Sequence, residues 1–436
     1  MRGSSLLIGA FVATIILGVA GLAGAADQSG PLNLTLDKCV DMALEVNTSI
    51  LKAGYALNQS QYGILSEASG LLPSARWLSS EDRWQKAGQR FILDQVVLTN
   101  KTYSSSIGFG ENVSASNVFG VFQQISNKNA ARQDLRLARQ QVVFTSKQKY
   151  LEVLKDQKLV QVADETLSQG KMHLDKAQAM LDVGTGVKSD VLQAQVQVSN
   201  NELSLISARN ALRLAESDLK HFLAIPEERE LQLQDVMETA ETTITLDAAV
   251  AEALVERPDL RAFGELVKSN YRGVWVRRGG WIPTFSFDYS KQYVALKFPQ
   301  DLSDLWDRAE WSWRINWSVN LFDGFATFSQ VKIAKDALKS ARQDLVQARR
   351  DVSLQVRQAY YNLEEAQQTV KVSSETVSLA EEELRLAEER YRLGGGTMLE
   401  QIDAQVSLTQ AKTTHIQALY GLLLSQADLM LAIGQD

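Results

Sequence analysis

The sequence predicts a mainly helical protein with a small β part, in which long coiled-coil helices build a wall and a few strands cross a membrane. Three observations predict it: apolar residues at heptad spacing from Phe328 to Leu393, alternating aromatic stretches, and an internal duplication that repeats both. Each chain then carries two long helices and four strands.

The heptad pattern is the strongest signal. Apolar residues fall at Leu338, Ala341, Leu345, Ala348, Val352, Val356, Ala359, Leu363, Ala366 and Val370, then resume at Val377, Ala380, Leu384, Ala387 and Tyr391. Steps of three and four average near 3.5 residues, the period of a left-handed coiled coil. No proline interrupts the run. At about 1.5 Å per residue it reaches roughly 100 Å, and a rod of that length needs neighbours along it. The other faces carry Arg349, Arg350, Glu364, Glu365 and Glu381 to Glu383. Such charges suit a solvated coiled-coil surface, or a wall with water on both sides.

The duplication is read from one constant offset. Thr35-Leu36-Asp37 recurs as Thr245-Leu246-Asp247, Pro73 as Pro283, Ala131 to Leu135 as Ala341 to Leu345, Tyr150 as Tyr360, Gly184 as Gly394, and Ala194-Gln195-Val196 as Ala404-Gln405-Val406, always 210 residues apart. The expected units are residues 26–225 and 244–436, joined by the polar stretch 226–243. Each begins with a helix after Thr35 or Thr245, where Thr or Asp can cap the exposed amides, running to about Gly70 or Gly280. A strand region broken by Pro73 or Pro283 follows. A long helix then runs from about Ile125 to Val183, or from Phe328 to Leu393. Glycines turn the chain at Gly184-Thr185-Gly186 and Gly394-Gly395-Gly396, and a return helix ends near Ile225 or Ile433. The first and last helices of a unit together match the long one, so they can stack end to end beside it.

The strands are clearest in the second unit. Trp311, Trp313, Ile315, Trp317, Val319 and Leu321 alternate with polar residues, as do Phe285, Phe287, Tyr289 and Tyr293. A tilted transmembrane strand with an aromatic outer face has this pattern, and so does a half-buried soluble sheet. All eight tryptophans lie in or beside these regions, and none lies in the long or return helices, as in a membrane-interface belt. In the first unit Tyr103, Ile107, Phe109 and Val113 alternate, and a vaguer strand starts near Ala75. Four strands cannot close a barrel, because the smallest membrane ring has about eight, so several chains must share one.

Arg2, the apolar run Leu6 to Ala20 and Ala23-Gly24-Ala25 read as a signal peptide over residues 1–25, with a retained anchor as the alternative. No later stretch reaches eighteen uninterrupted apolar residues. The net charge of -7 gives no hint of nucleic-acid binding. The lone Cys39 cannot form an internal disulfide, and a buried helix position is expected for it. His173, His221 and His415 lack metal-ligand spacing, and no nucleophile or phosphate-loop motif is present, so neither catalysis nor a metal or other cofactor is expected.

This combination resembles the TolC family of outer-membrane efflux proteins. The resemblance spans nearly the whole mature chain and rests on Leu34-Thr35-Leu36-Asp37 with Ala43-Leu44, Leu71-Leu72-Pro73-Ser74, Asn320-Leu321-Phe322-Asp323-Gly324, and the turns Val183-Gly184-Thr185 and Leu393-Gly394-Gly395-Gly396-Thr397. It implies a homotrimer with a twelve-stranded barrel among outer-membrane lipids and a twelve-helix tunnel in the periplasm. It also implies a periplasmic adaptor (membrane fusion) protein and an inner-membrane transporter as partners at the tunnel tip. Asp190, Glu400 and Asp403 match the acids that narrow family tips and favour cations, and Tyr391 matches an aromatic that helps hold tips shut. The basic residue often found inside the turn is missing, Gly396 standing in its place. Glu400 and Asp403 share a helix face, so three chains would bring them into a ring; helix N-terminal acids complementing the dipole are the plainer reading. Trp311, Trp313 and Trp317 are expected to face lipid. The rival to a channel is a periplasmic adaptor or coiled-coil scaffold, though an adaptor needs one hairpin rather than a duplicated strand and helix unit.

Overall fold

The computed structural model describes residues 32–92, 95–235, 244–297 and 309–435. The expected signal peptide, residues 236–243 of the joining stretch, and Trp306 lie outside the described residues.

Short parallel strands β1 (Leu32–Leu34) and β4 (Leu231–Leu233) pair with each other. After β1, helix α1 (Leu36–Val46) starts behind Thr35, whose hydroxyl accepts from the Lys38 amide at 3.3 Å. The expected first helix is two helices, because Asn47 leaves helical geometry and caps α2 (Thr48–Ser69) through the Ser49 amide at 2.9 Å. The same break recurs between α5 (Leu246–Glu256) and α6 (Pro258–Arg278), where Pro258 takes the first helical position and needs no amide partner. Thr245 precedes α5 without a side-chain cap.

Helix α3 (Ala115–Asp182) has 68 residues and starts ahead of the expected Ile125, since Ser114 caps it by accepting from the Asn117 amide at 3.1 Å. Its first turns carry Phe119 and Phe122. Helix α4 (Lys188–Phe222) returns along it. In the second half α7 (Ala326–Arg392), with 67 residues, pairs with α8 (Met398–Ile433). Hydrogen bonds fix the order of the wall. Upper α3 meets α2 through Asn117 to the Gly70 carbonyl (3.0 Å), and α6 through Ser269 to Asn127 (2.6 Å). Lower α3 meets α4 through Asn201 to the Thr166 carbonyl (3.1 Å), and α8 through Thr166 and Thr409 (3.2 Å). So α2 stands over α4 on one side of α3, and α6 over α8 on the other.

The α7 seam buries Leu338, Val352, Val356, Ala359, Leu363, Ala380, Leu384 and Tyr391, all positions of the heptad reading. The step missing between Val370 and Val377 is filled by buried Ser373, whose hydroxyl bonds His415 Nδ1 at 3.0 Å. A polar residue on the seam hid there from an apolar pattern. Helix α8 contains an 18-residue window apolar enough by composition to cross a membrane. Helices α3, α7 and α5 pack against it, and a third of that window is buried within the chain. Cys39 is fully buried in the core where α1 meets α3, and burial pushes its thiol up to about 12. Tyr150 anchors the same core, its hydroxyl within 3.0 Å of the Leu34 carbonyl and 2.6 Å of that of Gln234.

Strands β2 (Ser74–Ile92), β3 (Gln95–Val113), β5 (Thr284–Ala295) and β6 (Glu310–Ser318) form one antiparallel sheet in that order. The first pair is far longer than the second. Between Arg83 and Gly88 the register slips, giving β2 extra residues against β3, and such a bulge breaks the alternation that marks a strand in sequence.

Candidate functional site

Both hairpin tips are built on one backbone plan. Gly184 and Gly394 sit at φ of +80° and +74°, where an L side chain is strained. The amides of Thr185 and Gly395 then reach back to the carbonyls of Met180 (2.9 Å) and Arg390 (2.9 Å), closing the helix ends. The glycine at the third position of each turn answers to space instead. A Cβ on Gly186 would lie 2.9 Å from the Leu181 nitrogen, and one on Gly396 3.0 Å from the Tyr391 nitrogen, whereas Gly395 has room. The missing basic residue at 396 is therefore excluded by the tightness of this turn.

Tyr391 and Asp190, distant in sequence, are brought together. Tyr391 is buried against Ala177 and Met398, and its hydroxyl lies near enough to the Asp190 carboxylate of the other hairpin to feel its charge. Burial, and then the Asp190 charge, raise its phenol pKa. On the other side of the ring, Lys176 Nζ lies 5.4 Å from the ring centroid, within cation–π range. Lys176 was invisible to motif reading; its only signal is a place beside the α3 seam, next to buried Ala177.

Glu400 and Asp403 stay outside this cluster. Thr397 caps α8 through the Glu400 amide at 3.2 Å, and the Glu400 carboxylate is 3.7 Å from Arg390, an exposed pair worth little. Asp403 is exposed one turn on. Further along the α3–α8 contact, Gln401 is 1% exposed and bonds His173 Nδ1 at 2.9 Å, with its own Oε1 unpartnered. Burial lowers the His173 pKa, Lys176 adds to that and Glu388 opposes it. His173, scattered in sequence, is thus part of a polar seam between the two hairpins.

The sheet sorts its faces sharply. Cross-strand register puts Trp317 opposite Phe285, Trp313 opposite Tyr289 and Trp311 opposite Lys291, on one face with Phe109 and Trp77. Trp311, Trp313 and Trp317 are 64%, 59% and 75% exposed, an apolar area that water would not tolerate on a soluble monomer. The other face is polar, with hydroxyl pairs at Ser80 and Ser104 (2.8 Å), Ser290 and Ser312 (3.0 Å) and Thr284 and Ser318 (2.7 Å), and with Asp288 opposite Arg314. Among the described residues β2 and β6 each pair on one side only.

The profile of the outer membrane efflux protein family matches residues 249–435. The matched stretch is less than half of the chain, and over it the sequence is similar to that family. Outer membrane efflux protein BepC of Brucella suis biovar 1 (strain 1330) is 22% identical over 326 residues, covering 68% of this chain and 69% of that protein. In fold, the chain is similar to the Campylobacter jejuni CmeC outer membrane channel, at 17% identity and a TM-score of 0.78, covering 92% of this chain and 85% of that one. It is also similar to the outer membrane protein VceC of Vibrio cholerae, at 16% identity and a TM-score of 0.80, covering 92% and 96%. The fold match takes in both halves, where the family profile takes in the second.

Proposed function

We propose that three copies of this chain close one outer-membrane barrel over one periplasmic tunnel, and that solutes or proteins leave the cell through the shared bore. The observation that carries this reading is the sheet, with its aromatic exposed face, its polar face and its two free edges. Strand β2 runs away from the helices and β6 runs back toward them. A neighbour's β6 laid beside the first nine residues of β2 is antiparallel, like every other pair in the sheet. Repeated head to tail, that contact closes a ring without edges, which a membrane demands. Trp311, Trp313 and Trp317 then face lipid, and the hydroxyl pairs line water.

In this reading the two units, 26–225 and 244–436 joined by 226–243, arose by duplication, and residues 1–25 direct export. The tips meet a periplasmic adaptor, and an inner-membrane transporter drives the flux. Gly184, Gly186, Gly394, Gly395 and Gly396 shape the tip turns. Tyr391 holds the tip by packing, with Asp190 close to its hydroxyl, while Glu400 and Asp403 of three chains ring the entrance and favour cations.

Sizing and bilayer recording of the detergent-solubilised protein test the reading. A trimer with cation-selective conductance is expected, and a non-conducting monomer would refute it. Replacing Glu400 by Gln and Asp403 by Asn should lower cation preference; unchanged selectivity removes both from the gate.

A further inference from the structure

The wall leaves room where stacked helices meet end to end. Between α3 and α7, where α6 begins and α8 ends, lies a cavity of about 690 Å³, a size that suits a small ligand. It lies beside the junction where the start of α6 abuts the end of α8, Arg257 donating to the Ala432 carbonyl at 3.2 Å.

Its lining is amphipathic. Leu137, Ala138, Ala359 and Leu431 offer apolar wall, while Asp134 and Asp428 present carboxylates. Arg257 also borders the cavity, but its guanidinium is engaged: it holds both oxygens of Asp259 (3.0 and 2.6 Å), Gln355 Oε1 (2.9 Å) and the Ala432 carbonyl (3.2 Å). Asp134, exposed at the rim, and Asp428, partly buried, make no hydrogen bond or ion pair among the described residues. Burial by the surrounding helices holds both carboxyls above the ordinary range. Two uncompensated acids beside aliphatic wall ask for a positive charge that brings apolar surface with it. Among the described residues no three acidic, thiol or imidazole groups converge as a metal ion requires, which leaves an organic cation.

We propose that this cavity binds organic monocations with an apolar body, such as lipophilic amines, the charge meeting Asp134 and Asp428 and the body lying against Leu137 and Leu431. Along α8, Asp428 and Leu431 occupy a different stripe from Leu429 and Ile433, which share the core with Ala249 and Ala253 of α5. The site lies well away from the tip glycines, and that its occupant is a solute in transit rests on the channel reading proposed above.

The test is titration of proflavine, a planar cationic dye, into purified full-length protein, followed by fluorescence polarisation. One saturable site per chain is expected. Asp134→Asn with Asp428→Asn should weaken it at least tenfold, as should Ala138→Trp, which fills the cavity and leaves the acids in place. Glu400→Gln with Asp403→Asn should leave it unchanged. Absence of saturable binding, or binding that is indifferent to both cavity variants, overturns the proposal. Sizing and conductance of the same preparations separate the two readings: a conducting trimer without the site refutes the site alone, and a non-conducting wild type refutes the channel.

Discussion

The two hairpin tips share a backbone and differ in their polar wiring. At both, a left-handed glycine turns the chain and an amide five residues on closes the helix. At the second tip, Thr397 caps the return helix and Glu400 faces Arg390 of its own hairpin. At the first, Val187 stands at the capping position and offers no side-chain bond, and Asp190 reaches over to Tyr391 of the other hairpin. One tip is therefore satisfied within itself, whereas the other spends its acid on the contact between hairpins. Turn geometry and tip coupling are separable properties, and mutations can move one without the other.

The largest effect should be the one both tips share. Gly184→Ala and Gly394→Ala each meet open space, so only backbone strain opposes them, and each should cost about 1–2 kcal/mol in thermal unfolding. A markedly unequal pair of losses would mean that the turns are not equivalent. Next comes the cap. Thr397→Val should cost about 1 kcal/mol, and Val187→Thr should gain a similar or smaller amount. Trypsin reads this locally, cutting faster at Arg392 in the first variant and more slowly at Lys188 in the second. Smaller still is the bridge between hairpins. A double-mutant cycle of Asp190→Ala and Tyr391→Phe should give a coupling of about 1 kcal/mol, with more frequent openings in bilayers. Additive losses would show the contact to be energetically idle.

The smallest effect is pH dependence through His173. Its pKa in the folded chain lies below the ordinary imidazole value of about 6.5, so the folded state binds fewer protons than the unfolded one in that range. Stability is therefore full above about pH 6.5 and declines as the pH falls below it. Among the groups around it, Glu388 softens the decline and Lys176 sharpens it. His173→Gln should flatten the pH profile of tip proteolysis; an unchanged profile would assign the acid sensitivity elsewhere.

Legibility followed periodicity. Most of the α7 seam could be read because a buried stripe of Leu, Val and Ala leaves a 3.5-residue trace; the reading missed Ser373, where the seam is polar, and Val331, which lies ahead of its first position. Strands β5 and β6 were visible through strict alternation, whereas β2 hid behind its bulge and its many charged residues. The breaks at Asn47 and Arg257 were missed because the apolar pattern carries on across each cap. At the tips, the glycines announced the turns, but nothing local in sequence joins Asp190 to Tyr391 or His173 to Gln401.

By itself, then, the sequence determined what repeats along one chain: helices, alternating strands, tight glycine turns and the family to which they point. These are set by local sterics and by which face of an element must leave water. Tertiary structure alone decided which polar groups meet between hairpins, why position 396 has no room for a side chain, and where stacked helix ends leave a cavity. Those depend on contacts between residues far apart in the chain, and burial changes the energy of a charge or a hydroxyl only after those contacts exist.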